Sequence, residues 1–396
     1  MKSLLIKFGK GLNAMKREGL IRGGKRSAVS FFKLFRIVGS GDILFISSGV
    51  GDSAKYRSER QAEELSLHGL KCGVTVQDNP FLPKYVDRFK IFVFQKTIFS
   101  KTVAKMIEKI KAQKKEIVFE TDDLVFDPDY VRRMDFFAKL NALEKKQYET
   151  GVGSEILEDD YVKTCVTTTL FLADKLKAYG KQVFISKNKL SNYDVGVADR
   201  TLENRIDRGD EKIRIGYFSG TASHDKDFET MKKALTGVLG KYPQVEIHLF
   251  GPLEISDEYA KFSHRIKKHP FASWKKHLEN IASVDINIIP LEKGNPFCEA
   301  KSELKFFEAG ILGVPSVAAA NQTYWEAIED GVYGYIAGNE GEWEEKLGKL
   351  IEDDDLRKTL GDRAREKVLK EYTTKNSHNE EYYSYLKSKI QSSNSK

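Results

Sequence analysis

Residues 284–319 read VDINIIPLEKGNPFCEAKSELKFFEAGILGVPSVAA. The opening run Val284–Ile289, apolar at Val284, Ile286, Ile288 and Ile289, reads with the chain's other short apolar runs as a strand covered on both faces. A loop with Gly294, Asn295 and Pro296 follows. Helical spacing then sets Leu304, Phe307 and Ile311 on one face, until Gly313-Val314-Pro315 stops the helix before a second apolar run, Val314–Ala319. Strand, loop, helix and strand in that order make a βαβ unit, which demands parallel strands.

The same text recurs outward. Apolar runs at Ile43–Ile46, Ile91–Phe94, Ile117–Phe119, Cys165–Thr168 and Val183–Ile185 precede a polar stretch from Asp194 to Lys212. Ile213–Phe218 and Val245–Phe250 then resume the series. The expected fold class is therefore α/β, with two Rossmann-like domains whose parallel sheets face a central cleft. The expected divisions are a basic N-terminal arm at 1–39, a first domain at 40–195, a linker at 196–210, a second domain at 211–372, and a C-terminal helix and tail at 373–396.

Charge is unevenly placed. The chain has 396 residues and a formal net charge of +7. Residues 1–36 carry ten basic side chains against the single acid Glu18, so the remaining chain is slightly acidic. A basic coat over the whole surface, as a nucleic-acid binder would have, is excluded. Within the arm, Leu5, Phe8, Leu12 and Met15 form an apolar stripe beside lysines. That pattern predicts a surface helix on an anionic membrane, against the alternative of a leader folded back on the protein. No apolar run reaches the roughly 18 residues of a membrane span. Cys72, Cys165 and Cys298 have no metal-ligand spacing and suit a reducing compartment. The expected location is cytoplasmic, peripheral on the inner face of the plasma membrane.

Two segments carry candidate chemistry in the second domain. Read as one helix, Lys301, Lys305 and Glu308 share a face at i, i+4 and i+7, where cations near a helix start suit a diphosphate and Glu308 suits ribose hydroxyls. A solvated ion-paired face is the competing reading. After Phe218 come Ser219, Gly220 and Thr221, a loop whose amides and hydroxyls suit phosphate, and His224, placed to protonate or neutralise a leaving oxygen. An ordinary N-capped turn competes with it. In the first domain, Gly49-Val50-Gly51 follows the first strand, Tyr56 and Arg57 open the next helix, and Asp122-Asp123 end another strand. The aspartates suit acceptor hydroxyls or weak general-base help, with turn formation as the alternative. The triplets at 127–129, 225–227 and 353–355 read as chance DxD decoys. No zinc spacing, G-x-S-x-G or Walker A pattern occurs, so neither metal nor cofactor is expected.

IGYFSGTASHDKDF (215–228), DINIIPL (285–291) and NPFCEAKSELKFFEAGILGVPSVAA (295–319) together resemble the donor domain of retaining GT-B glycosyltransferases of the family 4 type, with a flavour of bacterial polysaccharide and O-antigen enzymes. LFISSGVGDSAKYRSERQAEELSLHG (44–69) and IVFETDDLVFD (117–127) resemble its acceptor half, so the likeness spans nearly all of 42–372. The resemblance implies a sugar moved from a nucleotide-sugar donor to a lipid-linked or polysaccharide acceptor, in cell-surface glycan synthesis. Glu308 matches the second glutamate of the family's E-x7-E motif, while Ala300 stands where the first would be. The implied donor site is Ser219, Gly220, Thr221, Asn295, Lys301, Ser302, Lys305 and Glu308; the implied acceptor side is Gly51, Tyr56, Asp122 and Asp123. Catalysis is expected of Lys301, Asp123 and His224. The alternatives are a catalytically degenerate GT-B scaffold, which Ala300 favours, and a GT-B-like sugar-nucleotide epimerase.

Overall fold

The computed structural model describes residues 34–35, 37–49, 51–132, 137, 142, 145, 148–205, 208–220 and 225–394. The arm over residues 1–33, together with Thr221 and His224, lies outside them. The chain forms two compact units. One runs to Lys189 and takes the chain back from His378; the other is Leu190–Ser377.

The first unit is built on strands β1 (Ile43–Ser47), β2 (Cys72–Val76), β3 (Ile91–Gln95), β4 (Glu116–Glu120), β5 (Thr164–Thr167) and β6 (Gln182–Ile185), in the spatial order β2-β1-β3-β4-β5-β6. All pairs are parallel. β1 and β3 are buried along their whole length, which is why each reads as an unbroken apolar run. Helix Lys101–Ala112 starts at Ser100, whose side chain accepts from the Val103 N–H, and buries Val103, Met106, Ile107 and Ile110. The last helix, Glu380–Asn394, belongs to this unit, where Tyr382, Leu386 and Ile390 join the core of Phe45, Val93 and Phe184.

The second unit has β7 (Ile213–Phe218), β8 (Val245–Phe250), β9 (Ile266–His269), β10 (Ile286–Ile289), β11 (Ser316–Ala319) and β12 (Tyr335–Ala337), in the order β12-β11-β10-β7-β8-β9, again all parallel. Two parallel sheets with helices between their strands fulfil the expected fold class. The expected linker begins differently. Residues 196–203 complete helix Asn192–Glu203, which a capping box between Ser191 and Asp194 starts, and which lies inside the second unit. The polar composition there marks a helix surface.

In each sheet the order reverses beside the first strand, between β1 and β3 and between β7 and β10. Chains leaving those strands diverge to opposite sides, and the gap at their carboxyl ends is where α/β sheets take ligands.

The first unit also buries a charge pair. Arg57 sits in a wide π-type turn, Lys55–Glu59, where the Arg60 N–H reaches back to the Lys55 carbonyl. Its Nε lies 2.5 Å from Glu120 Oε1, with both side chains wholly buried, and its Nη1 donates to the Ser186 carbonyl and Asn188 Oδ1. Burial raises the Glu120 carboxyl to about 7, against the lowering pull of Arg57. Breaking such a pair from one side leaves a buried charge unmatched. Arg57→Met should therefore cost about 3–5 kcal/mol in denaturant unfolding, with part recovered by adding Glu120→Gln. An unchanged unfolding midpoint in the single variant would contradict this account.

Candidate functional site

At the switch point of the second unit, β7 ends in Phe218 and passes into Ser219 and Gly220. The Ser219 N–H donates to the Phe250 carbonyl at 2.8 Å, and its hydroxyl donates to the Pro252 carbonyl at 3.1 Å. Gly251 makes this fit possible: its φ is +93°, and a Cβ there would stand 2.0 Å from the Ser219 oxygen. Gly220 faces open space.

Helix Asp225–Glu229 follows, and its Asp227 is buried. The carboxylate gathers the loop after β10. Oδ1 accepts from the Glu292 N–H at 3.0 Å and from the Cys298 thiol at 3.1 Å, while Oδ2 pairs with Lys301 Nζ at 2.5 Å. Burial pushes the Cys298 thiol up to about 12, so it serves as a donor and not as a nucleophile.

Lys301, Lys305 and Glu308 do not share one continuous helix. A single turn, Pro296–Glu299, ends at Ala300; the chain leaves helical geometry at Lys301 and Ser302; a second helix, Leu304–Gly310, begins after Glu303. The Glu303 carbonyl takes the first N–H bonds of that helix, from Phe306 and Phe307, and its own backbone is not helical. The expected apolar face survives, with Phe307 and Ile311 fully buried. Asn295 caps the first turn, its Oδ1 accepting from the Phe297 N–H and its amide donating to Glu292. Ser302 is half-buried in the break.

The break separates the two lysines in kind. Lys301 is already matched by Asp227. The Lys305 ammonium is buried with no hydrogen-bond partner among the described residues, 4.7 Å from the centroid of the Tyr217 ring. Burial and the nearby Lys301 charge bring it down to about 8, although Asp227 and Glu308 pull the other way. Glu308 is 4% exposed, and its Oε2 lies 3.2 Å from His277 Nε2, on helix Trp274–Ala282.

The first unit has its own polar cluster at the carboxyl ends of β1, β3 and β4. Lys96 Nζ holds Asp122 at 2.6 Å and Asp123 at 2.9 Å. The Ser53 hydroxyl lies 2.9 Å from Asp122 Oδ2, and Gln95 donates to Ser53 at 3.1 Å. Burial alone would raise the Asp122 carboxyl, but Lys96, Arg57 and Ser53 hold it below its usual range. Asp123 is raised, by burial first and by Asp122 next, and also accepts from the Val125 N–H, so it shapes a turn as well. Gly51 is exposed, its carbonyl accepting from the Lys55 N–H. Tyr56 is buried, with the Arg60 guanidinium 3.6 Å from its ring centroid.

Sequence reasoning missed Asp227, His277 and Lys96. Asp227 was set aside as part of a chance triplet, though its place beside the core residue Phe228 was a usable signal. His277 and Lys96 carried no motif. Among the described residues, no group of three or more His, Cys, Asp and Glu side chains is arranged to hold a metal, and no helix is long and apolar enough to cross a membrane.

Residues 229–380 match the family described as "Glycosyl transferase-like". HepE of Anabaena, solved in complex with UDP and glucose, superposes with a TM-score of 0.56 at 14% identity, covering 90% of this chain and 99% of HepE. The fold is GT-B. Sucrose-phosphate synthase from Thermosynechococcus elongatus gives a TM-score of 0.55 at 12% identity, over 89% of this chain and 98% of that one. TarM of S. aureus, solved with fondaparinux, alpha-GlcNAc-glycerol and UDP, gives 0.50 at 14% identity, over 78% of this chain and 58% of TarM. No curated protein matches in sequence.

Asp227→Ala would strand the Glu292 amide and the Lys301 ammonium. The expected loss is about 1–3 kcal/mol in thermal unfolding, and Lys301→Met should cost less in that background than alone. Equal costs in both backgrounds would show that the pair is not coupled.

Proposed function

We propose that this chain is a retaining glycosyltransferase, which takes a sugar from a nucleotide-sugar donor and passes it to a glycan or lipid-linked acceptor in cell-surface glycan synthesis. One observation carries the donor side: a buried ammonium, Lys305, with no hydrogen-bond partner among the described residues, at the switch point of the second sheet. A buried cation is costly unless an anion completes it. A diphosphate does so, and its charge grows as the sugar departs, so the same contact gains strength towards the transition state.

In this reading Lys305 and Lys301 stabilise the leaving diphosphate, and the Gly220 amide completes its shell, while the Ser219 amide, bonded to the Phe250 carbonyl, anchors the loop. Glu308 accepts bonds from ribose hydroxyls. Asn295 and Ser302 shape the loop around the donor. Lysines supply the positive charge, so the chemistry calls for neither metal nor cofactor. Asp122 and Asp123 bind acceptor hydroxyls on the first unit, with Asp123 the better placed to help the attacking hydroxyl lose its proton. Thr221 keeps the phosphate-loop place that the resemblance implies, and His224, by the chemistry of its imidazole, neutralises or protonates a leaving diphosphate oxygen. Retention and the polysaccharide setting rest on the resemblance of 295–319, and attachment to an anionic inner membrane face rests on the composition of residues 1–36.

A second reading has one observation in its favour. Ala300 is 2% exposed where the resemblance calls for a glutamate, which suits a donor-binding scaffold without turnover. Donor binding with no sugar transfer or hydrolysis would support it.

Lys305→Met tests the donor site. The thermal midpoint should hold or rise, because an unmatched buried charge is gone. Affinity for UDP by calorimetry should fall about 10- to 150-fold, the value of a charge-assisted bond. Unchanged affinity would contradict the proposal.

A further inference from the structure

We infer that His277 is a positioning residue, which fixes the Glu308 carboxylate to receive the ribose hydroxyls of a nucleoside diphosphate. The inference rests on the donor-site reading above and adds to it a residue from a different helix, outside the motif that contains Glu308.

Glu308 lies in helix Leu304–Gly310, and its side chain is almost wholly out of water. A buried carboxylate keeps a defined rotamer only if donors hold it. His277 Nε2 lies 3.2 Å from its Oε2. A carboxylate oxygen only accepts, so this contact requires the imidazole proton on Nε2. The histidine therefore donates to Glu308 and leaves the carboxylate as the acceptor that a diol needs.

The imidazole is itself held in place. The His277 backbone N–H donates to the Ser273 carbonyl at 2.7 Å in the first turn of its helix, and ring contacts fix the side chain. The Phe218 ring meets the imidazole edge-on, with centroids 5.4 Å apart, and Trp274 lies 5.8 Å away on the other contact. Phe218 is stacked on Phe250 at 4.6 Å, and Phe250 on His269 at 4.4 Å. Phe218 is also the last residue of β7, immediately before Ser219 and Gly220. The strand end that presents the proposed phosphate loop thus also props the imidazole that orients Glu308. Phosphate and ribose recognition share one rigid support, which is what a preorganised site requires.

The test is a comparison of two ligands on three proteins by calorimetry. The ligands are UDP and its 2′,3′-dideoxy analogue; the proteins are wild type, His277→Ala and His277→Gln. Wild type should prefer UDP by about tenfold or more, the value of hydrogen bonds to a charged acceptor. In His277→Ala that preference should collapse to about twofold, mainly through weaker UDP binding, and His277→Gln should restore part of it because its amide donates from a similar reach. Thermal unfolding of each variant checks that it is folded. Equal weakening of both ligands in His277→Ala, or a preference that survives there, would overturn the inference while leaving the donor site standing. Wild type binding neither UDP nor GDP nor ADP would overturn the donor reading, and this inference with it.

Discussion

The Lys305 ammonium is kept from water against the ring of Tyr217, a contact that returns only part of what desolvation takes. Its surroundings are arranged so that it is not neutralised from within. Asp227, the obvious counter-ion, is turned to Lys301, the Glu292 amide and the Cys298 thiol. Glu308 is engaged by His277. The break after Ala300 makes this possible: on one continuous helix, Lys301 and Lys305 would lie a turn apart on a single face and compete for the same carboxylate. The non-helical step at Lys301 and Ser302 gives the two cations different surroundings, Lys301 paired with Asp227 and Lys305 with no hydrogen-bond partner among the described residues.

A different solution serves the first unit. Lys96 there pairs with two carboxylates at once, and it does so from a left-handed backbone, φ +43°, that disfavours any residue with a Cβ. Glycine would take that turn without strain but would supply no ammonium. The strained lysine keeps Asp122 and Asp123 together at the ends of β3 and β4, as a hydrogen-bonding surface of low net charge. Such a surface suits hydroxyl-rich ligands better than phosphates.

Much of this was legible in the sequence, and the failures have physical causes. Strands buried on both faces, such as the runs Ile43–Ile46 and Ile91–Phe94, read directly, because apolar residues fill both faces there. β2, β9 and β12 went unread, and all three lie at sheet edges. An edge strand is half covered, so Ile266–His269 can carry two lysines, and Tyr335–Ala337 needs only three residues. At the site, Glu308 and the lysines were found through the helix pattern, but the pattern could not show its interruption. A chain break of two residues changes no periodicity strongly enough to see. Asp227, His277 and Lys96 escaped because each acts through a partner far away in sequence, and pairing at that range is a property of the folded chain.

Whether Lys305 is a cation awaiting a diphosphate is reported most directly by the state of its own nitrogen. In 15N-labelled lysine spectra, Nζ of Lys305 should titrate near pH 8 in the free protein, because burial and the Lys301 charge lower it. Saturating UDP should move that titration up by about one unit or more, since an adjacent anion favours the charged form. A free-protein titration at the usual lysine value of about 10.4, or one that UDP leaves where it was, would contradict the central claim.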